Sequence, residues 1–78
     1  MTTVIINKDR GTVTITSTGF CDSYRFVSIE TKCIAGEMKY KVTGELNSIS
    51  NKVIMTFPAV MTNLIVIEEH CISNTINN

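Results

Sequence analysis

Helix-forming residues are nearly missing from this sequence. It holds two alanines, two leucines and no glutamine among 78 residues. Few helices can be built from such a set. Histidine is also scarce, with His70 alone. A lone imidazole does not supply the closely spaced ligand pairs of structural zinc. The three cysteines, Cys21, Cys33 and Cys71, are odd in number, and no two are spaced Cys-x-x-Cys. That argues against a secreted disulfide scaffold and predicts buried or idle thiols in a reducing compartment. Long apolar runs are missing too. Nothing approaches the roughly 20 residues of a membrane helix, and charges at Lys8 to Arg10 interrupt any apolar leader. The expectation is a cytoplasmic protein without membrane contact.

Charge of one sign is not in excess, since seven Lys and Arg balance seven Asp and Glu. A tight non-specific nucleic-acid binder is usually basic, so the global balance speaks against one. The sequence has no Gly-rich phosphate loop, no Gly-x-Ser-x-Gly and no Asp-x-Asp metal loop. His70 and Cys71 are neighbours, so on a strand their side chains point to opposite faces. No acid, base and nucleophile converge. The reading is a non-enzymatic protein with no catalytic residue, no metal and no cofactor.

What the chain does have is β-branched residues: 11 Ile, 11 Thr and 7 Val. These stiff side chains suit a pleated strand. The predicted class is all-β, a small antiparallel meander of five or six strands closing into a barrel or sandwich. One domain spans 1–72, and 73–78 is a polar flexible tail.

Thr2 to Asn7 is the first strand, and Lys8-Asp9-Arg10-Gly11 turns the chain. Thr12 to Ser17 returns with clean alternation, Val13 and Ile15 on one face and threonines on the other. Phe20 to Ser23 reads as irregular. Tyr24 to Ile34 is extended, and its apolar phase changes midway, which predicts a bulge or bend. After a tight Ala35-Gly36 connection, Glu37 to Leu46 is a strand. Gly44 falls on its inward phase and predicts a bulge or close backbone approach. Val53 to Phe57 is a strand stopped by Pro58. The stretch from Asn63 to Ile72 follows, with Leu64-Ile65-Val66-Ile67 apolar on both faces. It reads as a central strand, or as one whose second face another subunit covers. Val60, Leu64, Ile67 and Cys71 also fit helical spacing, so a short helix within 58–72 is the competing reading.

Two candidate surfaces emerge. Val4-Ile5-Ile6 and Leu64-Ile65-Val66-Ile67 offer apolar side chains to both faces, and a small domain has only one interior. A protein interface of Ile65, Ile67, Glu69, Val4 and Ile6 is therefore predicted, with a homodimer as one way to cover it. The second candidate is the hairpin around Ala35-Gly36, where Arg25, Lys32, Lys39 and Lys41 interleave with Tyr24, Phe26 and Tyr40. Basic residues plus aromatics on a sheet can bind single-stranded nucleic acid. Glu30, Glu37 and Glu45 lie in the same region and cancel much of the field.

The chain is tiny, single-domain, rich in Ile, Asn and Thr, and without a catalytic constellation. In that it resembles small accessory proteins of bacteriophages and other mobile elements. The resemblance implies a protein that binds and inhibits a host protein in the host cytoplasm. The alternatives are a single-stranded nucleic-acid-binding β-domain and a small structural component of a virion.

Overall fold

The computed structural model describes residues 1–46 and 51–68. They form six strands: β1 (Thr2–Asn7), β2 (Thr12–Ser17), β3 (Phe20–Ile34), β4 (Glu37–Leu46), β5 (Asn51–Pro58) and β6 (Thr62–Ile67). The strands make one sheet in the order β5-β4-β3-β2-β1-β6. A single 3-10 turn, Ala59–Met61, joins β5 to β6. The all-β expectation holds. Within 58–68, the helical alternative reduces to that one turn.

The sheet has to curl. Laid flat, six strands about 4.8 Å apart would separate β5 from β6 by about 24 Å. The link from Pro58 to Thr62 reaches at most about 14 Å. Thr62 Oγ1 donates a hydrogen bond to the Pro58 carbonyl oxygen at 2.7 Å, which ties the two ends of the link together. The result is a half-barrel, with β5 and β6 as its two edge strands among the described residues.

One detail corrects the antiparallel meander. β1 and β6 run parallel, with Val4 level with Leu64 and Ile6 level with Val66. The short link is the cause: it delivers the chain beside the start of β1 and leaves no length to turn back. The stretch expected at the centre of the sheet thus sits at its edge, and β3 and β2 take the middle.

The side-chain alternation of β1 and β2 directs Val4, Ile6, Val13 and Ile15 inward, where they join Val42 as the buried core. Tyr24, Phe26, Ile29, Met55, Phe57 and Leu64 pack against it. Strands from both ends of the sheet therefore meet in one interior.

The phase change expected in β3 is a bulge. The register with β4 shifts between Phe26 and Ser28, which leaves Val27 as the extra residue. The extra residue bends the strand, so β3 pairs with β2 over its first half and with β4 over its second. The irregular reading of 20–23 is corrected. These residues extend β3, because backbone pairing with Thr14 to Ser17 outweighs their polar side chains. Thr14 and Ser23 share a hydroxyl hydrogen bond of 2.9 Å across that pair. The β3–β4 turn has φ +54° at Ala35 and +78° at Gly36. A type I′ hairpin demands positive φ at both central residues, and Ala35 meets it at a cost of about 1 kcal/mol.

Candidate functional site

β6 carries Thr62, Asn63, Leu64, Ile65, Val66 and Ile67, with no charge and no proline. Among the described residues it pairs with β1 alone. Its two faces do different things. Leu64 turns inward and packs against the core. Val66 shares that phase but stays 46% exposed at the rim. Ile65 and Ile67 turn outward, level with Ile5 and Asn7 of β1. Ile65 remains 40% exposed.

The backbone of β6 is oriented as firmly as its side chains. The Lys8 N–H donates to the Ile67 carbonyl at 3.0 Å, so Ile67 turns its backbone groups toward β1. A strand alternates in this respect every residue. Asn63 and Ile65 therefore also bond toward β1, while Leu64 and Val66 direct N–H and C=O to the outer edge. An open edge of this kind is a template for another strand. Proteins usually blunt such edges with charge, proline or bulges. β5, the other edge, has Lys52 near one end and Pro58 at the other. β6 has neither within its length. An ion pair of 2.9 Å between Lys8 and Glu68 closes the far end of the β1–β6 pair.

The predicted interface residues thus separate. Ile65 and Ile67 share the outward face of β6. Val4 and Ile6 are fully buried by the inward phase of β1 and belong to the core, so their place on the outer surface is taken by Ile5. Glu69 lies outside the described residues, as do His70 and Cys71. Cys21 and Cys33 are exposed and free, so of the two readings, buried or idle, burial does not apply to them.

The basic hairpin is partly assembled. Lys32 stands directly across from Lys39, and Lys41 across from Glu30, all on the outer face. Arg25 shares that face but is engaged by Glu45, whose Oε1 accepts from both Nε and Nη2. Lys32 also lies 4.0 Å from Glu30. Tyr40 alternates to the inner face, level with Thr31 and Phe57. The lysines and the aromatic ring that stacking would need are on opposite sides of the sheet.

On the inner face, Tyr24 donates to Asp22 Oδ2 at 3.3 Å. Burial, and then the charge and hydrogen bond of Asp22, hold the Tyr24 phenol above its ordinary pKa. A phenol kept protonated is a donor and a poor nucleophile. Among the described residues no three His, Cys, Asp or Glu side chains gather as metal ligands. No helix among them is long and apolar enough to cross a membrane.

Sequence reasoning allowed a helical turn after Pro58 but missed how exposed its apolar residues are. Val60 is 81% exposed and Met61 60% exposed, at the end of the sheet where β5 meets β6. The available signal was the run 53–67, fifteen residues without a charged side chain. That run makes both edge strands and the turn that joins them. No family model, curated protein or solved structure matches the chain.

Proposed function

We propose that this chain is a non-enzymatic protein-binding module that engages its partner through β6. The observation that carries the reading is an edge strand without charge or proline, apolar on both faces, with Leu64 and Val66 offering backbone groups to the outside. Strand addition at such an edge draws affinity from main-chain hydrogen bonds and specificity from side chains on alternate positions. Ile5, Ile65 and Ile67 supply an outward apolar contact, and Lys8 and Glu68 a polar margin. The resemblance in size and composition to phage and mobile-element accessory proteins makes a host protein the partner class to test first. Binding there would inhibit the partner by occupying its own strand or edge.

A photo-crosslinking residue at position 65 tests this, with the same residue at position 41, on β4 in the other half of the sheet, as the control. A cross-link to one protein from position 65 and none from 41 supports the reading. Equal labelling from both sites sinks it. A cross-link to a second copy of the chain replaces the host partner with a homodimer, which light scattering resolves. Ile65→Lys is expected to weaken capture by about 30-fold, as for a contact of about 2 kcal/mol. Its effect on stability should stay within about 1 kcal/mol, because the side chain is already half in water.

A further inference from the structure

β3 lies mid-sheet and still carries an open side. β2 pairs with its first part, Phe20 to Arg25, and β4 with Arg25 to Ile34. The Phe26 N–H donates to the Gly11 carbonyl oxygen at 2.8 Å. Beyond that bond, among the described residues, no strand lies beside β3 over 28–34 on the side away from β4. The two-residue turn at Ala35-Gly36 makes Ile34 and Glu37 a hydrogen-bonded pair. Alternation then makes Lys32 with Lys39, and Glu30 with Lys41, the next such pairs. Ile29, Thr31 and Cys33 therefore direct N–H and C=O to the open side. Every residue from Glu30 to Ile34 is exposed.

This edge is complementary to itself. The free stretch is centred on Thr31, so the greatest overlap of two antiparallel copies sets Thr31 against Thr31 and Ile29 against Cys33. The same register sets Glu30 against Lys32 twice, at the non-hydrogen-bonded pairs where side chains approach most closely. A shift of two residues either way would set Glu30 against Glu30, or Lys32 against Lys32. Within one copy Lys32 stands across from Lys39, a like-charge pair, and lies 4.0 Å from Glu30 on its own strand. A second copy brings an acid to its other side. We propose that a second copy of this chain pairs with 28–34 of β3, antiparallel and centred on Thr31, and joins two sheets through about six main-chain hydrogen bonds. Those bonds hold the joint, and the two Glu30–Lys32 pairs fix its register. The joint leaves both β6 edges free. The inference therefore stands apart from the reading of β6 and adds to it a module with two identical binding edges.

Sedimentation velocity in reducing buffer tests the joint, on the full chain, on Glu30→Lys, on Lys32→Glu and on an equimolar mixture of the two variants. The unaltered chain should dimerise with a Kd in the micromolar range. Either variant alone sets like charges at both close pairs and should weaken the dimer about 30-fold. In the mixture each lysine of one variant meets a glutamate of the other, and dimers should return. Side chains that only supported the fold would show no such rescue. Lys32→Glu also faces Lys39 with an acid, so its dilute monomer should melt no lower than the unaltered one. Ile65→Lys should leave the dimer intact. An unaltered chain that stays monomeric at about 1 mM overturns the inference. So do charge variants that associate as the unaltered chain does, a mixture that stays monomeric, or a dimer lost in Ile65→Lys. The two readings fail separately: loss of the β3 joint leaves a cross-link from position 65 to a host protein standing, and absence of that cross-link leaves the joint standing.

Discussion

Replacing Ile6 with alanine is expected to destabilise the fold by about 2–5 kcal/mol, the largest loss from any single truncation in this core. Ile6 is fully buried and is the largest of the fully buried side chains. It stands on β1, between β2 and β6, level with Val13 on one side and Val66 on the other. Truncation leaves a cavity that neither neighbour fills, because both are β-branched and hold one rotamer. A domain of this length is stable by roughly 4–12 kcal/mol in all, so the loss removes a large share of it. The neighbour gives the control. Ile5 faces outward, level with Thr14 and Ile65. Ile5→Ala should therefore cost well under half as much. Urea unfolding of the three proteins decides it. Equal losses at positions 5 and 6 would mean that the outward face is covered in the protein as it stands.

That contrast also shows what the sequence made legible. Val4-Ile5-Ile6 announces a strand, and alternation says that one side of it is buried. It does not say which strand lies beside it. β1 and β2 were readable to the residue because a four-residue turn with Gly11 fixes a local pairing. β4 was readable for the same reason, after Ala35-Gly36. The parallel pairing of β1 with β6 was not, because those strands are far apart in the chain and no local signal joins them. An apolar stretch such as Leu64 to Ile67 reads as buried on both faces wherever it lies. The sheet put it at an edge, where the same composition signifies an open surface.

The candidate site was legible in kind and misplaced in part. The excess of apolar faces over one interior followed from composition and alternation alone, and Ile65 and Ile67 do share an outward face. Val4 and Ile6 belonged to the other phase. The basic hairpin shows the limit from the other side. Lys32, Lys39 and Lys41 share a face by alternation across the β3–β4 pair, but the same alternation sends Tyr40 to the other. The bulge at Val27 is what keeps Arg25 in step with Lys32 despite their odd spacing in sequence.

Gly44→Val is expected to destabilise the protein by about 2–3 kcal/mol, and Gly44→Ala by about 1–2 kcal/mol. Gly44 lies on the inward phase of β4 beside the bulge, level with Phe26 and Val53. A Cβ at this position would stand 2.8 Å from Tyr24 Cβ, 3.3 Å from the Arg25 carbonyl oxygen and 3.4 Å from Tyr24 Cγ. The first of these decides the sign. The Tyr24 ring can rotate away, but its Cβ is set by the backbone of β3, so the strands must move apart. Opposing this, alanine reduces the freedom of the unfolded chain, worth about 0.4–1 kcal/mol. Overpacking is the larger effect, so the net change is a loss, and valine adds two methyls to it. The strain falls between β3 and β4, with β2 and β1 between it and β6. The folded fraction of Gly44→Ala should therefore still cross-link its partner from position 65. Loss of capture in step with unfolding fits this placement. Loss of capture in protein that remains folded would mean that the partner reads the β3–β4 side of the sheet, and the binding edge would have to be moved there.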